Sequence, residues 1–501
     1  VGKIMPIVGI PALYAQSLII GQSATVATPS SAYHRMSKKW ILVEALRGGT
    51  ETMREKGTLF LPQEPKESND AYAVRMRRTF LYNLYWRTIT VIAGIAFVKP
   101  VVITGVPAEL EYLEYDFDGT GRTLTEVAYD MAVDAIHYGK SHLMCDFPVV
   151  DTENMNLEEF RLNNYRPYMT HINPTRLISW SSEEGAGINN LNKIRILEDK
   201  VVESSLNEWA DKTITYIRVI YTDRTDNYVY DPEIGIENFE FQNTTANTLG
   251  YIPIQTVYSD KTGFFEAEPA LYDLAQLNLR HWQSSSDQNN ILHIARVPFL
   301  LAVGFDEGEL NNTEIGANRM IVSSNVDAEI KHVEHTGKAI GAGSADLQHI
   351  ENQMSAMGAD QLLSKGVSRM TATARKVDQM ESMSILQMTL RGIEQAIEQC
   401  YVAAGAYLGI DASTVSVTIG DDLSTANEPN PTAALIQLKA SGLLTDEQLV
   451  EEAKRQGILS SYFKLSEERP NLTNPEILEP DMFNVAPVID EESEEDDEVT
   501  E

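Results

Sequence analysis

The stretch from Pro269 to Leu408 constrains the fold more than any other part of the chain. At its end Leu386, Leu390, Ile393, Ile397, Tyr401, Ala404 and Leu408 step by three or four, the strongest helical repeat in the sequence. At its start Pro269 opens a helix expected over Ala270 to about Ile294. There Leu271, Leu274, Leu277, His281, Ser284 and Ser285 recur at helical spacing. That seam is apolar first and small or polar later, as expected where a helix packs against copies of itself. Between the two helices lies a compact segment, Val297 to His335, with strand-like Phe299–Val303, Met320–Val322 and Ile330–Val333. Gly337 to Gly343 reads as a flexible hinge, and a further helix is expected from Ala345 to about Leu363. Ser364 to Val377 is rich in Ser, Thr and Ala, carries Lys365, Arg369, Arg375 and Lys376, and has no acid between Gln361 and Lys376. The order is helix, β-containing insert, helix, basic hinge, long helix.

The flanks decide the fold class. Ala32 to Val98 is helical in pattern: Trp40, Ile41, Val43, Leu46 and Met53 recur at helical spacing, Gly48-Gly49 interrupts them, and Ala71 to Val98 reads as a second, longer helical region. A helix opens at Thr123 after the Gly119-Thr120-Gly121 turn and stops at Gly139, and Leu143 to Val150 reads as a buried strand. From Tyr168 to about Tyr258 short β-branched and aromatic runs alternate with Asn, Asp and Gly clusters, which predicts a mostly antiparallel region. Beyond Asn427-Glu428-Pro429-Asn430-Pro431, Thr432 to Ala440 and a Thr445-capped helix closing at Gly457 form a small helical unit. With 501 residues and 43% apolar content the chain holds two or three packed domains of α+β class.

Charge limits function. Lys and Arg number 40 against 73 Asp and Glu, a formal charge of -33, which excludes a protein that grips nucleic acid over its whole surface. Nine acids fall within the last twelve residues, a stretch expected to be a solvated tail, whereas Ser30 to Lys99 carries twelve basic residues against six acidic ones. Two cysteines, Cys145 and Cys400, cannot build a disulfide framework or a four-ligand zinc site. No run of roughly 18 uninterrupted apolar residues marks a membrane span. The apolar stretch Ile4 to Ile20 reads as a leader or arm, with export and cleavage near Ala27 as the other reading.

Four motifs touch on chemistry. Asp116-Phe117-Asp118-Gly119-Thr120 matches the nucleophile signature of haloacid-dehalogenase-type phosphatases, in which Asp116 would attack phosphorus and Asp118 handle the leaving-group proton beside Mg²⁺. Gly420-Asp421-Asp422 would supply that family's metal acids, but no doubly wound sheet surrounds either motif. The competing reading is a turn whose carboxylates stabilise the loop and cap the helix from Thr123. His332, Glu334 and His335 suggest a metal cluster, yet His335 faces away from the other two on a strand, so a surface strand is expected. Gly337 to Gly343 has the wrong order for a phosphate loop, and no G-x-S-x-G elbow is present. Met354, Met357, Met370, Met380, Met383 and Met388 gather around the basic hinge, as core packing or as a deformable interface.

Taken in order, several stretches resemble the portal proteins of tailed bacteriophages. They are Trp40–Gly49, Met53–Pro62, Tyr82–Pro100 with Arg87-Thr88 and Phe97-Val98-Lys99-Pro100, Asp118–Gly121, Arg166-Pro167-Tyr168 leading to Ile178-Ser179-Trp180, Leu271–Asn290, and Glu334-His335 before Gly341. The resemblance spans about residues 32 to 465 and rests on many moderate matches, none of them catalytic. It implies a ring-forming, portal-type subunit, commonly one of twelve, at one capsid vertex of a virion assembled in the host cytoplasm. Its channel would carry double-stranded DNA during packaging and ejection. The implied parts are a leader at 1–31, an α/β wing at 32–268 and a helical stem at 269–296 and 338–363. A clip at 297–337, a tunnel loop at 364–378, a long helix with wing return at 379–427, a helical crown at 428–465 and a disordered acidic tail at 466–501 complete the chain. By that mapping Lys365, Arg369, Arg375 and Lys376 face the DNA, and Leu274, Leu277, His281 and Ser285 line the stem interface between subunits. Phe299, Val303, Met320, His332 and His335 lie in the clip, where the terminase large subunit and the tail adaptor dock. Major capsid and scaffolding proteins are further implied partners, and no membrane, metal, cofactor or catalysis is implied.

Overall fold

Helix boundaries in this chain follow from local caps, and the clearest case positions everything around it. Thr123 Oγ1 accepts the Glu126 N–H at 3.3 Å while the Glu126 carboxylate accepts the Thr123 N–H at 2.7 Å, a reciprocal capping box. The helix it starts, Leu124–Tyr138, ends at Gly139 with φ +93°. Thr123→Ala removes one half of that box and is expected to cost about 1 kcal/mol, measurable as a lower midpoint in urea unfolding.

The computed structural model describes residues 24–148, 165–185, 188–204, 209–231, 233, 236–296, 299–304, 325, 329–333, 338–358, 372–420, 439, 441–442, 445 and 448–450. The chain divides into Val1–Gly420 and Asp421–Glu501. The first unit runs α1 (Ser31–Arg47), α2 (Gly49–Glu55), α3 (Asn69–Arg78), α4 (Leu84–Ala96), β1 (Val102–Thr104), α5 (Leu124–Tyr138), β2 (Lys140–Asp146) and β3 (Tyr168–Ile172). A β region follows: β4 (Leu177–Gly185), β5 (Ile188–Glu203), β6 (Asp211–Tyr221), β7 (Arg224–Asp231), β8 (Ile236–Ala246), β9 (Ile254–Tyr258), β10 (Lys261–Gly263) and β11 (Glu266–Ala267). Then come α6 (Tyr272–Ala295), β12 (Phe299–Val303), β13 (Glu329–Val333), α7 (Lys338–Met357), α8 (Ala372–Leu408) and β14 (Ser416–Thr418). In the second unit Thr445 and Gln448 exchange backbone-to-side-chain bonds of 3.1 and 3.3 Å, the cap expected there.

The class is α+β, and every strand pairing among the described residues is antiparallel. Strands β4 to β8 form a five-stranded meander, and β3-β2-β9 form a smaller sheet. Met144, Ile172, Leu177, Ile194, Ile196, Ile220, Ile252, Ile254 and Phe265 make one buried cluster drawn from both. The other face of β2 meets helices. Trp40 Nε1 donates to the Tyr138 carbonyl at 3.2 Å, and Tyr85 Oη lies 3.0 Å from His137 Nδ1, so α1, α4 and α5 share a core. After α8 the chain returns to the start of this unit, where β14 pairs with β1.

Three expectations are corrected. Ala71 to Val98 is two helices, because Thr79–Asn83 is held extended: Arg54 donates to the carbonyls of Arg77 and Thr79, Thr79 Oγ1 lies 2.8 Å from Ser286 Oγ, and Asn83 caps α4. The buried strand begins at Lys140, three residues before the expected start, and ends at Asp146. The Gly337–Gly343 hinge is helical from Lys338 onward, and within it Gly343 serves close packing against α6. A Cβ on Gly343 would lie 2.0 Å from Gln288 Oε1.

Candidate functional site

Helices α6 and α7 run antiparallel, joined through the β12–β13 hairpin, and are held along a polar seam. Arg280 Nη2 reaches Asp346 Oδ1 at 3.1 Å and Ser284 Oγ reaches Asp346 Oδ2 at 3.2 Å. His281 Nε2 lies 3.2 Å from Glu351 Oε1, and Gln288 Nε2 donates to the Ile340 carbonyl at 3.0 Å and to Ser344 Oγ at 3.1 Å. The opposite side of α6 grips the N-terminal helices. Asn278 Oδ1 accepts the Tyr85 N–H at 3.0 Å while its Nδ2 donates to the Tyr82 carbonyl at 3.0 Å. Fully buried Asn278, Trp282 and Ser286 therefore anchor α6.

This arrangement sorts the expected interface residues. Leu274 and His281 are buried within the subunit, and His281 also packs against the Tyr82 ring with centroids 5.5 Å apart. Leu277 and Ser285 are half-buried and remain open to a neighbour. Gln288 was not singled out by sequence, although it sits in step with His281 and Ser285 on the polar half of the seam, and neither was Asn278 on the side that grips the N-terminal helices. In the hairpin Phe299 pairs with Val333, Leu300 with His332 and Val303 with Glu329, and Val303 is exposed. Met320, Glu334, His335, Lys365 and Arg369 lie outside the described residues. Arg375 and Lys376 do not lie in a loop: the backbone places both in the opening turns of α8, where the run Ala372–Val377 holds no Gly or Pro to prevent helix.

The Asp116–Gly121 motif is a structural turn. Asp118 Oδ1 accepts the Thr120 N–H at 2.9 Å and its hydroxyl at 2.7 Å, and Oδ2 accepts Arg122 Nε at 2.6 Å. Asp116 accepts the Gly121 N–H at 2.7 Å and pairs with Arg166. Burial would raise Asp118, but Thr120 and Arg122 together hold it below the ordinary carboxylate range. Both carboxylates are spent on the loop and on its union with Arg122 and Arg166. A 3-10 turn, Ala108–Glu114, precedes the motif where the phosphatase reading needs a parallel strand. That reading is set aside. Among the described residues no group of three or more His, Cys, Asp or Glu side chains could hold a metal ion, and no helix is long and apolar enough to cross a membrane.

An α+β chain built around a helix–hairpin–helix unit and a long helix is what these elements define. A domain of unknown function, DUF4055, matches residues 270–408, the span from the start of α6 to the end of α8. No curated protein matches. The chain is similar to solved chains of a gene transfer agent (GTA) particle. One, titled "Neck of native GTA particle computed with C12 symmetry", is 12% identical, with a TM-score of 0.38 over 73% of this chain and 88% of that one. A second, from the virion of the native particle, is 13% identical with a TM-score of 0.39 over 81% and 99%. A third, from the neck of the empty particle computed with C6 symmetry, is 12% identical with a TM-score of 0.38 over 74% and 89%.

Proposed function

We propose that this chain is a structural, non-catalytic subunit of a phage-like virion, the portal protein that forms a ring at one capsid vertex. The observation that carries the reading is the order of elements from Tyr272 to Leu408, helix, β-hairpin, helix and long helix, in a chain whose quoted motifs run in the same order. In this reading α6 and α7 are the stem and the β12–β13 hairpin belongs to the clip, which receives the terminase large subunit and later the tail adaptor. Leu277 and Ser285 are the stem residues left available for a neighbouring subunit.

The charge fits a conduit. Each Lys or Arg paired with a phosphate releases counterions and adds affinity, so a channel that must let double-stranded DNA slide cannot be broadly basic. A chain at -33 repels the duplex, and Lys365, Arg369, Arg375 and Lys376, repeated around a ring of about twelve copies, supply weak contacts with its backbone. Arg375→Glu with Lys376→Glu is expected to lower the yield of DNA-filled particles on the order of tenfold, with ring assembly intact. Negative-stain imaging of the purified chain should show rings with a central hole. A monodisperse monomer at high concentration, or unchanged genome packaging and retention in the double variant, would respectively overturn the ring and the DNA contact.

A further inference from the structure

The chain holds two cysteines, Cys145 and Cys400, both free and both buried. Far apart in sequence, they lie on two elements that pack together, β2 and α8. Along β2, Met144 points into the core shared by the two sheets, so Leu143 and Cys145 face the other way. Helix α8 covers that face. A Cβ on Gly392 would lie 3.1 Å from Val257 of the neighbouring strand, and further along the helix the Tyr407 ring sits 5.4 Å from that of Phe147. Between these two contacts the Cys400 thiol points to the Leu143 carbonyl oxygen at 3.9 Å, while the Cys145 N–H is held in the sheet by the Pro253 carbonyl at 3.0 Å. A sulfur seated over the Leu143 carbonyl lies next to Cys145, the following residue on that face of the strand.

We propose that Cys145 and Cys400 form a redox modification site: reduced, they pack as two small apolar groups, and oxidised, they join in a disulfide that pins α8 to the central strand of its sheet. The oxidant is a hydroperoxide. Cys145 is among the residues lining a cavity of about 570 Å³, with Asp146, Arg218, Thr245, Asn247 and Tyr407, whereas Cys400 is not, so Cys145 reacts first. Its thiolate attacks one peroxide oxygen, the S–O bond forms, the O–O bond breaks, and the departing hydroxide takes up a proton to become water. The Cys400 sulfur then displaces the oxygen of the sulfenic acid, the S–S bond forms, the S–O bond breaks, and the second oxygen leaves as water with the Cys400 proton. Two thiols and one hydrogen peroxide give one disulfide and two waters. Burial holds both thiols above their ordinary range, so thiolate is scarce at neutral pH and the reaction accelerates as pH rises. Both groups belong to one subunit, so the proposal stands whether or not the chain forms rings.

The test is to treat the full-length chain with hydrogen peroxide at about pH 7 and about pH 8.5, alkylate remaining thiols under denaturing conditions, and map peptides by mass spectrometry. The expected product is a peptide pair linking Cys145 to Cys400 with two hydrogen atoms fewer, released by dithiothreitol and formed several-fold faster at the higher pH. The oxidised chain should melt several degrees higher than the reduced one, and Cys400→Ala should show neither the link nor the shift. Complete alkylation of both cysteines after treatment, or Cys145 carried to sulfinic acid with no linked pair, would overturn the proposal. The wild-type peptide map decides this even if the alanine variant does not fold.

Discussion

Gly139→Ala is expected to destabilise the first unit by at least about 3 to 5 kcal/mol, enough to remove most soluble folded protein. Two effects add. The residue closes α5 at φ +93°, where a Cβ costs roughly 1 kcal/mol or more. That Cβ would also lie 2.1 Å from the Glu268 carbonyl oxygen and 2.5 Å from its carbon, an overlap with backbone that no rotamer relieves. Glu268 leads through Pro269 into α6, and it is held from the other side by an ion pair with Lys39. Relief of the clash therefore has to move the entry to α6 or the end of α5. Gly121→Ala is the control: its φ is +87°, but no atom lies within 4 Å of the added carbon, so only the conformational cost of about 1 kcal/mol remains. Urea unfolding of the two variants checks the argument, and equal losses would contradict the steric part of it.

The same glycine marks the limit of what sequence alone discloses. Its role as a helix stop is legible, because caps are local: Thr123 and Glu126 announce one end of α5 and Gly139 the other. Its contact with Glu268 is not, because that partner arrives only after the intervening β region has folded. The extended turn at Thr79–Asn83 is hidden for a related reason. Thr79 and Leu81 are buried while Phe80 and Tyr82 are exposed, a two-residue alternation inside a stretch whose wider spacing is helical. Arg54 and Asn278, from outside that stretch, decide between the two periods. The order of elements in the candidate site could be read from periodicity, but its seam could not. Arg280, Gln288 and Asp346 look like ordinary surface residues until the second helix is laid against the first.

Lys140 is the residue sequence reasoning is least able to place, since lysine is seldom found in a core, and its behaviour yields a prediction with a definite sign. Its side chain is fully buried, Nζ donates to the Phe265 carbonyl at 2.8 Å, and the ammonium lies 4.4 Å from the Trp180 ring centroid. Burial pushes it down to about 7, with Glu266 opposing that shift. A base depressed in the folded state leaves the unfolded chain holding more protons across the interval between the two values. Stability therefore rises with pH through that interval, is fully present above the unfolded value near 10.5 and is lost below about 7. Lys140→Met keeps the length and the apolar stem but cannot titrate. Near pH 7 it should equal or exceed the wild type in stability, because the removed charge outweighs one hydrogen bond and one cation–π contact, each worth about 1 to 2 kcal/mol. Between about pH 7 and pH 9.5 the wild type should gain on the variant by up to about 1.4 kcal/mol per pH unit. Parallel urea-unfolding curves at the two pH values would mean that Phe265 and Trp180 hold the ammonium charged throughout. In that case Lys140 acts as a fixed cation that ties the turn before α6 to the central strand of the sheet.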